Sequence, residues 1–152
     1  MAINWICKHF SELTTEELYH ILRLRSEVFV VEQNCVFLDM DNKDFDCHHL
    51  MGWKGKQLLG YSRILRAGIS YVESSIGRIV SSPAARGMGI GRELLSESIK
   101  ALYRLHGMRD IRIGAQYYLK EFYESYGFVQ TGEIYSEDGI DHIEMLLTVI
   151  HI

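Results

Sequence analysis

Proline is almost absent: Pro83 is the only one in 152 residues. No proline-rich linker divides the chain, and its length suits a single domain, residues 1–152, rather than two. Cysteine is scarce as well. Cys7, Cys35 and Cys47 are an odd, scattered set without a C-x-x-C, which reads as reduced thiols of a cytoplasmic protein and not as a disulfide framework. Cys47 stands beside His48 and His49, but its spacing to Cys35 fits no zinc pattern, and no metal site is expected. There is no run of about 18 apolar residues, so no membrane-spanning helix is expected. The opening MAINWICKHF lacks the basic, apolar and small-residue segments of a secretory signal. Positive charge is not in excess: the formal net charge is −4, which argues against a sequence-independent nucleic-acid binder.

What is present is the composition of a folded domain, 47% apolar and 24% charged. Ile3–Phe10 alternates apolar and polar residues, as a strand does. Thr14 and Glu17 form a capping box ahead of Leu18, Ile21, Leu22, Val28 and Phe29, whose spacing predicts a helix to about Val31. Asn34–Cys47 is acidic and unpatterned, a long loop of the kind that is often functional. Its Asp39 and Asp41 read as a solvated face, or as an attraction for a cation. HHLMGW and LLGYSRILR, joined by KGKQ, predict a hairpin. Ser75–Val80 is a further strand, followed by a loop from Ser81 to Gly91 and a helix that stops at Gly107. Strand Asp110–Gln116, a short helix ending at Gly127, and strands FVQTGEIY and DHIEMLLTVI, joined by SEDGI, complete the chain. The order is β-α-β-β-β-α-β-α-β-β, an α/β (α+β) domain with a mixed sheet flanked by helices.

The loop before the second long helix carries glycines at 87, 89 and 91. Strand, glycine loop and helix start together make a phosphate cradle, because backbone N–H groups point at one spot and the helix dipole favours an anion. A nucleotide P-loop needs Lys and Ser or Thr after its last glycine; here Arg92 and Glu93 follow Gly91. A dinucleotide G-x-G-x-x-G would need glycine at Arg92 or Leu94. What fits is R-x-x-G-x-G over Arg86, Gly87, Met88, Gly89, Ile90 and Gly91. Taken alone, these residues are equally compatible with a tight turn that binds nothing.

This motif, followed by IRIGAQ and FYESYGF, resembles the two central motifs of the GNAT superfamily of N-acetyltransferases. LRSEVFVVEQNCVFLDMDNKD and YSEDGIDHIEM are similar to its ElaA branch, and the resemblance covers nearly the whole chain. It implies a GNAT-like, mostly antiparallel central sheet whose middle strands splay apart, with acetyl-CoA as co-substrate and a primary amine as acceptor. It further implies that Arg86–Gly91 holds the CoA pyrophosphate and that pantetheine pairs with backbone at Ile79, Val80 and Ser81. The thioester carbonyl would meet an amide near Val80, an oxyanion donor. Tyr123, four residues before Gly127-Phe128, would protonate the leaving thiolate, an effect of roughly 10²–10⁴-fold. Dimers are common in the superfamily, so a homodimer is compatible with it.

An alkylamine is mostly protonated at neutral pH and needs a base. Glu32, His142 and Glu144 are the candidates; histidine has the reference pKa nearest neutrality. His142 and Glu144 are two apart and share one face of a strand, so one could be the base and the other bind the amine. Arg78 stands where some GNAT enzymes carry a glutamate base, and could instead hold a substrate carboxylate or Glu32. Gln33, Gln116 and His48 are candidate pocket or CoA contacts, while Trp5, Trp53, Tyr117 and Tyr118 read as packing. Tyr123 also lies in an aromatic cluster that could be simple core, and His142 could be an ordinary satisfied histidine. Two further functions stay open: a non-catalytic acyl-CoA-binding or sensing module, and, weakened by the missing lysine, a nucleotide-binding domain.

Overall fold

The computed structural model describes residues 2–149. Its elements are β1 (Asn4–His9), α1 (Thr15–Arg25), β2 (His48–Lys54), β3 (Gln57–Leu65), β4 (Ser75–Ser81), α2 (Ile90–His106), β5 (Ile111–Gln116), α3 (Lys120–Glu124), β6 (Val129–Gln130), β7 (Tyr135–Glu137) and β8 (Ile140–Leu147). The order is the expected one with a single change: FVQTGEIY is two strands. From Gln130 to Tyr135 the chain takes five steps while β8, its partner, takes three from Met145 to His142. The surplus residues around Gly132 leave the ladder. Ile150, the last residue of the expected closing strand, lies outside the described residues.

The strands form two antiparallel sheets, β1-β2-β3-β4 and β5-β8-β6, with β7 also on β8. They meet at one parallel bridge, Ser74 with Ile111. Beyond it β4 and β5 diverge, leaving a wedge in the middle of the molecule. Leu94, Leu95 and Leu102 of the apolar stripe of α2 are fully buried, while Leu105 near its end is exposed. The α1 capping box forms in both directions: Thr14 Oγ1 accepts from Glu17 N–H (3.0 Å) and Glu17 Oε1 from Thr14 N–H (2.8 Å). The helix does not run evenly to Val31. It widens into a π-type turn over Ser26–Glu32, a distortion common near functional sites. It ends with Glu32 and Gln33 at the wedge.

The acidic loop is neither solvated nor free to attract a cation. Asp39 and Asp44 are 6% and 8% exposed, and Arg25 is fully buried between them. Arg25 Nε donates to Asp39 Oδ2 and Nη1 to Asp44 Oδ1, both at 2.8 Å. Arg63 Nη1 joins Asp44 (3.0 Å) to Asp41 (2.8 Å). Arg78 closes the network on Asp39 (2.8 Å), so its partner is Asp39 and not Glu32. Three arginines from α1, β3 and β4 thus anchor a loop whose apolar residues Val36, Leu38, Met40 and Phe45 are largely exposed. Burial opposes ionisation of Asp44 and Asp41, yet hydrogen bonds from Arg25 and Arg63 outweigh it and hold both carboxyls below the usual range.

Removing one partner from such a network strands buried charge. Asp44→Ala is expected to lower unfolding free energy by about 3–5 kcal/mol in urea titrations at pH 7; a loss under ~1 kcal/mol would show that the network does not anchor the loop. Because these carboxyls titrate lower when folded, their contribution is complete above about pH 5 and drains as pH falls below ~4. The pH–stability profile of the variant should therefore be flatter in acid than that of the parent.

Candidate active site

The wedge opens into a cleft of about 870 Å³ lined from both sheets and from the end of α1. One wall is β4, which carries a bulge: Tyr61 faces Val80 and Arg63 faces Gly77, so Arg78 and Ile79 together oppose Ser62. Arg78 has φ +49°, a costly left-handed conformation for a residue with a side chain. The bidentate hold of Asp39 on its guanidinium, to carboxylate and to carbonyl (2.9 Å), helps to fix it there. Past the bulge, Ser82 N–H donates to Leu59 O (2.8 Å). This sets the phase of the ladder. Val80 turns its N–H and C=O to β3, while Ser81 turns its own towards the wedge. The amide of Val80 itself is therefore not the one offered to a ligand.

Arg86 lines the cleft mouth, and the glycine loop continues from it on the outside. Gly87 (φ +84°) and Gly89 (φ +72°) are left-handed, which explains both glycines without a ligand. Gly91 is different. Its φ is not positive, and a Cβ there would have no atom within 4 Å. Neither backbone conformation nor packing calls for glycine at 91. Gly89 caps α2 with no side chain over the helix end, and the first N–H to turn back is that of Glu93, to Gly89 O. The amides of Ile90, Gly91 and Arg92 precede that ladder. The Ile90 side chain is core, 3% exposed, while Met88 is half exposed.

Tyr123 lines the cleft, 5% exposed, with its ring edge-on to Phe122 and Phe128. Burial, with Tyr118 adding to it, pushes its phenol well above the usual value, so it holds its proton at neutral pH. His142 lines the same cleft from β8, buried and stacked on Tyr135 (5.8 Å between centroids). Its Nδ1 lies 2.8 Å from Ile140 O; a donated Nδ1–H leaves Nε2 with the lone pair, 3.4 Å from Glu137. Glu32 reaches the cleft too, but both its oxygens accept from Arg86. That hydrogen bonding holds its carboxyl below the usual range, which makes it a weaker base. Gln33 and Gln116 face each other across the wedge as an amide pair (3.3 and 3.4 Å).

The structure separates other candidates. Glu144 does not line the cleft with His142; it lies in a neighbouring shallow pocket against Arg112 (3.4 Å). His48 is remote, packed edge-on between His9 and His106. Tyr118 is not packing: it is 71% exposed on the cleft rim. Trp5 does pack, its ring filling the space that a Cβ on Gly52 would need. Residues without a sequence signal are Tyr71 and Tyr135, whose hydroxyls both stand over Gly114. Tyr71 comes from the loop between β3 and β4 and Tyr135 from β7, and only the fold brings them together.

These features are those of an acyltransferase fold of the GNAT type, and the chain belongs to that family. Residues 14–149 match the family model described as "Acetyltransferase (GNAT) domain". The chain is 41% identical to Protein ElaA of Escherichia coli (strain K12) over 150 residues, 97% of this chain and 98% of that one. A solved acyl-CoA N-acyltransferase from Pseudomonas aeruginosa superposes with TM-score 0.91 at 45% identity, covering 95% of this chain and 99% of that one. The crystal structure of Escherichia coli ElaA gives TM-score 0.88 at 40% identity, covering 95% and 98%.

Since nothing within the protein requires glycine at 91, Gly91→Ala is expected to leave stability unchanged or raise it by up to ~1 kcal/mol, the ordinary gain of alanine over glycine in a helix. Thermal and urea unfolding check this. A destabilisation beyond ~1 kcal/mol would mean that the fold itself requires this glycine.

Proposed function

We propose that the protein transfers an acetyl group from acetyl-CoA to a primary amine by direct attack in a ternary complex. The observation that carries this reading is the wedge itself. It has an outward-facing backbone strand on one wall, protonated Tyr123 in its lining, and a helix start with free amides at its mouth. The CoA pyrophosphate is assigned to the amides of Gly87, Gly89, Ile90 and Gly91, where the helix dipole favours an anion. Arg86 adds charge once it leaves Glu32. Pantetheine is assigned to the strand Ile79–Ser81, with Gln116 opposite.

The chemistry then follows from the side chains. The amine arrives as an ammonium, and His142 Nε2 takes a proton from it, directly or through water. The neutral nitrogen attacks the thioester carbonyl carbon. The oxyanion is assigned to the outward N–H groups of the bulged strand, Ser81 and, one period back, Ile79. Collapse breaks the C–S bond, the thiolate takes the phenol proton of Tyr123, and the nitrogen releases its second proton to restore the tyrosine. The balance is ammonium plus acetyl-CoA giving amide, CoA thiol and one proton.

Tyr123→Phe keeps the ring packing and removes the proton. It is expected to bind CoA within about twofold of the parent while kcat falls by roughly 10²-fold or more. Titration of CoA and stopped-flow thiol release measure the two separately; full turnover in the variant would remove Tyr123 from the chemistry. Gly91→Ala should weaken CoA binding by tenfold or more despite its unchanged stability. If the protein binds CoA but never releases thiol with any amine, the enzyme assignment fails and an acyl-CoA-binding module remains.

A further inference from the structure

Gly114 lies in the middle of β5, opposite Glu144 in the ladder, and lines the cleft. The place of its missing Cβ is taken. An atom there would stand 2.9 Å from the Tyr71 hydroxyl oxygen and 3.0 Å from that of Tyr135. Two phenol oxygens, one from the loop before β4 and one from β7, thus converge over the strand, both within 3.0 Å of that Cβ position, and a group with several donors lying above it could meet both. Neither phenol is engaged by a protein hydrogen bond that perturbs it. Both sense the same two carboxylates. Burial first, then Glu144 and Glu137, push Tyr71 up; burial, Tyr71, Glu137 and Glu144 push Tyr135 up to about 12.

The carboxylates around this point outnumber the cations that meet them: one guanidinium, Arg112, is shared between Glu73 and Glu144. Arg63 and Arg78 are committed to Asp39, Asp41 and Asp44. Arg112 is held by Glu73 through two 3.0 Å hydrogen bonds, and it reaches Glu144 only at 3.4 Å. Lys43 donates to Ser70. An anion at this point would face two carboxylates. A cation would meet two phenol oxygens able to accept, in a negative field.

We propose that the acceptor is an alkylammonium with no carboxylate beside its nitrogen, docked over Gly114 with two N–H groups on Tyr71 and Tyr135. This rests on the acetyl-transfer reading and names its substrate class. An ammonium has three donors; the third is left for His142, stacked on Tyr135, as the proton acceptor of the reaction. An α-amino acid is disfavoured because its carboxylate would face Glu137 and Glu144. A neutral arylamine forgoes the field.

The test is a chemical-shift titration that follows the Gly114 amide, run with and without saturating CoA. The probes are n-butylammonium, its neutral isostere n-butanol, and norleucine, which sets a carboxylate beside the amine. Butylammonium is expected to bind at least tenfold tighter than either control. Loss of hydrogen bonds to a charged group in the Tyr71→Phe/Tyr135→Phe pair should weaken it by about tenfold or more. Gly114→Ala, checked for an unchanged unfolding midpoint, should block it while CoA binding stays within about twofold. Norleucine binding as well as butylammonium would overturn the proposal, as would unaltered affinity in the double variant. CoA binding without any amine preference sinks this inference alone. Amine binding at Gly114 in a protein that never binds CoA sinks the acetyl-transfer reading alone.

Discussion

The hold of Asp39 on Arg78 is the interaction on which the site depends. β4 parts from β5 because it is bulged, and the bulge places Arg78 at positive φ. A left-handed arginine is unfavourable by itself. It persists because Asp39, already fixed by buried Arg25, accepts from the Arg78 guanidinium through carboxylate and carbonyl alike. The acidic loop is therefore a strut between α1 and the wedge wall.

Burying Asp39 and Asp44 with Arg25 and Arg63, and partly burying Asp41 and Arg78, is a costly way to build a strut, since desolvation opposes a buried charge. An apolar loop could give equal stability. What the ionic version adds is direction. Each guanidinium donates to carboxylates in a fixed plane, so the backbone from Asp39 to Asp44 and the side chain of Arg78 are set together. The cleft wall inherits that geometry. Arg63 extends the same network to β3, the strand against which β4 is bulged.

Charge pairing also sorts the residues around the cleft. Glu32 and Arg86 satisfy each other at its mouth, which takes Glu32 out of contention as a strong base and gives the arginine a partner before any phosphate arrives. His142 sets Nδ1 against Ile140 O and turns Nε2 to Glu137. Glu137 faces His142 in the cleft, while Glu144 shares Arg112 with Glu73 in the neighbouring pocket.

The glycine loop, the Thr14–Glu17 capping box, the α2 stripe and the spacing of Tyr123 before Gly127-Phe128 were all legible in the chain. Each is a local pattern whose physics is complete within a few turns of backbone. Family membership followed from those patterns and their order. The charged loop was misread because solvation is the ordinary fate of acidic residues, and nothing local reveals that Arg25, Arg63 and Arg78 will meet them. For the same reason Glu144 looked like a partner of His142: alternation along a strand puts them on one face, but Glu144 pairs with Arg112 in the neighbouring pocket. Tyr71 and Tyr135 are 64 positions apart in sequence, and their meeting over Gly114 exists only because two sheets join at Ser74 and Ile111. The sequence by itself determined the fold, the glycine loop at the start of a helix and the family; the tertiary structure decided which charges remain free to act, because that depends on which distant side chains neutralise one another.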